Sequence, residues 1–324
     1  MSRPVNDASR APFLPNRALS GRCLTGTMND SCTYHRSSAA KGGLTRMVFT
    51  RRTGRMFLGG IWVLDGLLQL KPQMFSLQFL KQVVLPNEDG QPALIASSIK
   101  WIAAAATPHI VVLNVLFVLV QLAVGLAIVL EFRTRLVLIA SFAWCALVWW
   151  TGEGFGGVFT GQALALTGAP GAVVLYTLVG IAVWPEARPA GIDPPGERTF
   201  AVRALGVLWL LAALMQIQPA YLSPNALSSA FMSPWAASIV KGHGTVVTIV
   251  LSVVEAAIGI GIFLRPARNV AAWASIILSI FFWWTGQGFG QMQTPLGTDP
   301  NSGPLWVLLT FCAVPTLLRG GDAE

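Results

Sequence analysis

The sequence predicts an all-α polytopic membrane bundle of eight transmembrane helices, arranged as two parallel four-helix repeats, and three observations lead there. Of the 324 residues, 54% are hydrophobic and only 11% charged, with a mean hydropathy of +0.61, so lipid is the solvent that suits most of the chain. WWTGEGFG at 149–156 recurs as WWTGQGFG at 283–290, and the same offset of 134 pairs His109 with His243, Gly125 with Gly259 and Pro170 with Pro304. The basic residues punctuate the apolar runs and do not form one patch.

Taken in order, residues 1–46 are polar and basic, rich in Ser, Arg and Asn, and carry no helical period. They are expected to be a disordered tail or to precede the true start, since Met47 opens MVFTRRTGRMFLGG just ahead of the first apolar run. The first repeat then occupies 47–190 and the second 191–324. Apolar runs bounded by charge, Gly and Pro predict helices near 56–73, 108–131, 135–151 and 170–185, and again near 200–218, 244–264, 269–285 and 304–318. An even number of crossings per repeat returns the chain to its starting side. Both repeats therefore insert the same way up, related by a pseudo-two-fold axis along the membrane normal.

Between the first two helices, 74–107 holds apolar clusters broken by Lys81, PNEDG and Lys100, each too short and too charged to cross, and so predicted to be interfacial or re-entrant. Its counterpart at 219–243 is shorter. With the Gly-rich turns after Trp150 and Trp284 and TDPNSGP at 298–304, these segments are expected to roof the outer end of the bundle.

Arginine placement sets the orientation. Arg51, Arg52, Arg55, Arg133, Arg135, Arg188, Arg198, Arg203, Arg265, Arg268 and Arg319 fall on one face, which the positive-inside rule makes cytoplasmic. Both termini are then cytoplasmic in a plasma membrane, and the lipid bilayer is the first partner. The net charge of +8 does not point to nucleic acid, because no basic patch interleaves with aromatics. Four cysteines without a CxxC or metal-ligand spacing predict neither a disulfide framework nor a zinc site.

DGLLQLKP at 65–72, echoed as AALMQIQP at 212–219, with Gly and aromatic residues at the helix ends, resembles the DoxX-like membrane proteins, a group that includes the small subunit of thiosulfate:quinone oxidoreductase. The resemblance covers the four-helix unit twice. It implies a quinone ligand and a soluble or membrane redox partner.

The residues able to carry chemistry come in pairs. His109 and His243 both stand at the outer start of the second helix of their repeat. Together, two imidazoles would share a metal or haem iron, or bind a quinone head group; singly, each caps a helix start. Glu153 and Gln287 follow the Trp-Trp ends of the third helices, where they either hold a ligand or proton or simply end a helix in water. Gln121 and Glu255 lie about twelve residues into the second helices, roughly 18 Å of rise and near the midplane. An acid there is costly unless neutral or paired, so Glu255 is either a proton relay or a protonated partner of Gln216 or Gln69. Asp65, with Ala212 opposite it in the second repeat, carries the same pair of readings. Trp149, Trp150, Trp283 and Trp284 read as interfacial anchors.

No nucleophile with a base, phosphate-binding loop or zincin helix is present, so whether the protein is an enzyme stays open. Two functions follow from these residues: a redox-linked, DoxX-like subunit binding quinone or haem, or a carrier of a small solute or cation with Asp65, Gln121 and Glu255 relaying protons. A scaffold without chemistry is the third.

Overall fold

A computed structural model describes residues 48–185 and 198–318. The leading segment 1–46, Arg188 and Arg319 lie outside the described residues, as do the side chain of Arg198 and the two cysteines before Met47. Among the described residues all regular structure is helical. The α-helices are α1 (Arg51–Leu68), the single turn α2 (Leu77–Phe79), α3 (Ala93–Ala106), α4 (Ile110–Val129), α5 (Thr134–Thr151), α6 (Ala172–Ala182), α7 (Arg198–Gln216), α8 (Pro234–Val240), α9 (Gly244–Phe263), α10 (Arg268–Thr285) and α11 (Gly303–Ala313).

Among the described residues, four helical stretches are long and apolar enough to cross a membrane: 93–129, Thr134–Thr151, Thr199–Gln216 and Gly244–Phe263. The other four predicted crossings differ from them in kind. α1 and α10 reach 18 residues but carry more polar side chains, and α6 and α11 have 11 residues each. Helix α1 also begins five residues before the position expected from apolarity. The Thr50 hydroxyl accepts from the Thr53 N–H, so the arginines sit inside the first turn.

The segment expected to be interfacial is a folded cap with its own small core of Met74, Phe79, Leu80, Val84, Ile99, Ala103 and Ile110. Its helix α3 runs through a tight turn at Thr107–His109 into α4. Pro108 removes one backbone donor there, yet the helical path continues.

The helices close into two rings. In one, α1 packs on α4, α4 on α5, α5 on α6 and α6 on α1; in the other, α7 packs on α9, α9 on α10, α10 on α11 and α11 on α7. They meet where α11 lies against α6 and α1, and α6 against α7. Small residues permit the closest approaches. A Cβ on Gly125 would stand 2.7 Å from the Val63 nitrogen and 2.8 Å from the Gly59 oxygen, and one on Gly259 would stand 3.0 Å from the Gly206 oxygen. The order of contacts along each pair makes both antiparallel: Gly59 meets Gly125 while Gln69 accepts from Asn114 at 2.9 Å, and Gly206 meets Gly259 while Ala213 accepts from Ser252 at 2.8 Å.

One end of the bundle is basic. Arg55 donates to Val183 O at 3.1 Å and pairs with Glu131 at 3.1 Å, Arg135 donates to Pro185 O at 3.0 Å, and Arg268 donates to Ile262 O at 2.8 Å. Each guanidinium thus meets a carbonyl near the end of a helix, where the dipole favours a cation. Helices α6 and α11 both finish at this end. A Cβ on Gly54 would approach Val183 and Cys312 together, and the Phe49 ring stacks on Phe311 at 5.5 Å.

At the opposite end each ring's loop reaches over to the other. Gln218 and Tyr221 donate to Ala163 O and Gln162 O at 2.9 and 2.8 Å. Lys71 donates to the carbonyls of Met292, Thr294 and Gly297 at 2.8, 2.8 and 2.9 Å. One sequence pairing is corrected in this region. The Trp149 indole donates to Pro170 O, 21 residues on, whereas Trp283 donates to Pro300 O, 17 residues on, so Pro300 and not Pro304 stands where Pro170 does. The first loop is longer by the four residues that separate those two prolines.

Candidate functional site: an acceptor-lined chamber

A chamber of about 300 Å³ opens inside the first ring, between α1, α3, α4, α5 and α6, with Thr298 and Asp299 of the loop before α11 completing its wall. Helix α1 turns Leu58, Trp62, Asp65 and Gly66 inward on one stripe, which delivers Asp65 to the interior at 4% exposure. The Tyr176 hydroxyl on α6 donates to Asp65 Oδ2, and the rings of Trp62 and Tyr176 lie 5.0 Å apart. One turn beyond Asp65, Gln69 is equally buried.

Glu153 is held just past α5 by the cap segment. Asn87 donates to Gly152 O at 2.7 Å and Gln91 to Gly154 O at 2.6 Å, fixing the backbone on either side. Glu153 Oε1 accepts from the Val173 N–H at 3.2 Å, an amide in the open first turn of α6. Asp299 accepts from the Thr298 hydroxyl at 2.6 Å and the Asn301 N–H at 2.6 Å.

The electrostatics are one-sided. Among the described residues, Asp65, Glu153 and Asp299 line the chamber and no Lys, Arg or His does. Burial first, and the Asp299 charge second, push Glu153 up to about 8. Burial also lowers Lys71, whose ammonium is turned to the loop carbonyls. Four buried oxygens on the chamber residues have no partner within the protein: Asp65 Oδ1, Gln69 Oε1, Gln121 Oε1 and Glu153 Oε2. All four are acceptors. Such groups are seldom left unpaired in folded proteins, so the chamber suits a ligand that brings donors.

The sequence candidates divide. Asp65, Glu153 and Gln121 come together here; Gln287, Glu255 and the histidines do not. Gln287 repeats the Glu153 geometry, its Oε1 accepting from the Gly303 N–H at 3.1 Å, while its amide donates to Ser302 Oγ and Ala165 O, so it is spent on joining loops. Glu255 is fully buried in the second ring with neither oxygen bonded, and Gln216 is likewise unbonded, so the expected Glu255–Gln216 or Glu255–Gln69 bond is absent. In the second ring Trp209 and Trp306 lie 4.5 Å apart, and the Trp209 indole donates to Ser275 at 2.8 Å.

The two histidines stand apart from the chamber. His109 and His243 each precede a helix, α4 and α9, without a side-chain cap bond, and both are exposed. Among the described residues no group of three or more His, Cys, Asp or Glu is placed to hold a metal. Exposure lets water satisfy each imidazole singly.

Tyr176 and Asp299 were not legible as site residues. A lone tyrosine in an apolar run was the available signal for the first; the second read as part of a roofing turn. A larger groove of about 750 Å³ along α5, α6 and α7 is almost wholly apolar, as a surface facing acyl chains would be. The chain matches no family model, no curated protein and no solved structure in comparisons with each.

Proposed function

We propose that this protein is a carrier for a small cation, crossing the plasma membrane eight times as two like-oriented four-helix units with both termini cytoplasmic. The observation that carries the reading is the set of unpartnered acceptor oxygens around a chamber lined by three acids and no base. The 18-residue helices α1 and α10 and the shared level at which α6 and α11 end support the eight crossings. The half-length of α6 supports the carrier: an 11-residue helix rises roughly 16 Å, and its open N-terminal turn faces the chamber as broken helices do in carriers.

Proteoliposomes holding the full chain, given an imposed pH gradient, test this with methylammonium, sodium and potassium. Gradient-driven accumulation of at least one, lost in Asp65→Asn and Glu153→Gln, is the expected result. Absence of flux for all three would refute it.

The redox-linked, DoxX-like reading has one observation in its favour. A quinol brings two hydroxyl donors and a flat ring, which the unpartnered oxygens and aromatic walls accommodate; the oxidised quinone brings only acceptors and fits less well. Quinol recovered by solvent extraction of the purified protein, together with no cation flux, would replace the carrier by a redox subunit.

A further inference from the structure

Resting on the carrier reading, we propose that the chamber's ligand is a small organic ammonium ion with an apolar or aromatic body, taken up in exchange for the Glu153 proton. Three features of the chamber support this beyond its acidity. First, two of the unpartnered oxygens belong to Asp65 and Gln69, which are each only 4% exposed and line the chamber one turn apart at the end of α1. An alkylammonium carries three N–H donors on one compact head, enough to engage several of these oxygens at once.

Second, the walls are aromatic and joined. The rings of Phe79 and Phe117 lie 6.5 Å apart and those of Phe117 and Trp144 5.4 Å, while Trp62 and Tyr176 stand together at 5.0 Å. Such faces attract a cation through the ring quadrupole and cover an apolar body. Third, the acceptors do not make a metal site. A hard cation takes six or more oxygens close around it, whereas here the oxygens spread over α1, α4 and the turn after α5 around about 300 Å³, and no ligand cluster of three is present among the described residues.

The exchange balances without any other reactant. The groups acting on Glu153 are the Val173 and Ala172 amides on α6, Asp299 on the loop before α11 and the Cys145 thiol on α5, while Asp65 and Tyr176 share the chamber and Lys71 is engaged by loop carbonyls. Burial first, and the Asp299 charge second, keep the Glu153 carboxyl mostly protonated at neutral pH. When an ammonium enters, the carboxyl O–H bond breaks, its proton leaves to the outer water, and the carboxylate pairs with the incoming N–H. One positive charge arrives and one departs.

Isothermal titration of the full chain in detergent tests the class, using 2-phenylethylammonium, neutral 2-phenylethanol, sodium and calcium. Titrations at about pH 7 in two buffers of different ionisation enthalpy count the protons released. Saturable binding of 2-phenylethylammonium, at least about tenfold tighter than the alcohol and either metal, with about one proton released, is expected. Glu153→Gln should abolish the proton release, and its fold is safeguarded because Gln287 makes the same amide contact in the second ring. Equal affinity for the alcohol, or binding of sodium or calcium in place of the ammonium, overturns the organic-cation class and leaves the carrier standing. Ammonium binding with proton release but no flux in proteoliposomes keeps the class and removes the carrier.

Discussion

Two acidic residues in the first ring show how burial and partnership divide the work. Glu153 sits with its pKa raised to about 8 from a usual 4.5, burial leading and Asp299 second. Between those values the folded protein binds more protons than the unfolded chain, so stability falls as pH rises through that interval. The melting temperature in detergent should therefore drop between about pH 5 and pH 8, and Glu153→Gln should flatten that slope. A slope unchanged in the variant would show that another group titrates. Asp65 depends on a neighbour instead: Tyr176→Phe leaves both its oxygens without a donor and should cost about 1–3 kcal/mol by chemical denaturation, with no overall loss of helix. Asp65 was legible because an acid in an apolar run stands out. Its donor lies 111 residues away, and no local pattern specifies which distant hydroxyl will arrive. The histidine pair shows the converse limit, since an offset of 134 matches positions in the sequence but says nothing of how far a side chain is exposed.

Between elements, glycine placement decides how near two helices come. At Gly125 the atoms a Cβ would meet are backbone, Val63 N at 2.7 Å and Gly59 O at 2.8 Å, so neither neighbour can swing aside. Gly60, one residue along α1 from Gly59, has nothing within 4 Å. Gly125→Val should then destabilise by about 1–3 kcal/mol or more through forced separation of α1 and α4, while Gly60→Ala should be neutral or gain up to about 1 kcal/mol from helix propensity. Thermal melts of the two variants side by side check this, and equal effects would mean the helices are not in the contact described. The matched glycines at 125 and 259 were visible in sequence, and so was the existence of every long helix. Their limits were not. Apolarity marks where a helix can be buried, but α1 starts where Thr50 satisfies an open backbone donor, and the loop after Trp150 shifts a proline register by absorbing four residues.

Across the whole molecule, the chamber belongs to one ring but is finished by the other. Thr298 and Asp299 reach it from a loop tied to Lys71, whose ammonium makes three bonds to carbonyls more than 220 residues away. A charged donor shared among three part-buried acceptors is a strong tether, and removing it leaves those carbonyls to find water. Lys71→Met keeps the length of the side chain and deletes the donor. If the loop depends on the tether, a cysteine placed at Thr298 should react slowly with a membrane-impermeant maleimide in the parent background and at least about tenfold faster beside Lys71→Met, as read by mass spectrometry of the labelled peptide. Because the basic residues gather at the far end of the bundle, right-side-out and inverted vesicles should differ as well, with labelling confined to the extracytoplasmic face. Equal rates with and without Lys71 would show that the loop is held by its own turn, through the Asp299 contacts with Thr298 and Asn301. Labelling from the cytoplasmic side would turn the molecule over, and with it the side from which any ligand first reaches Glu153.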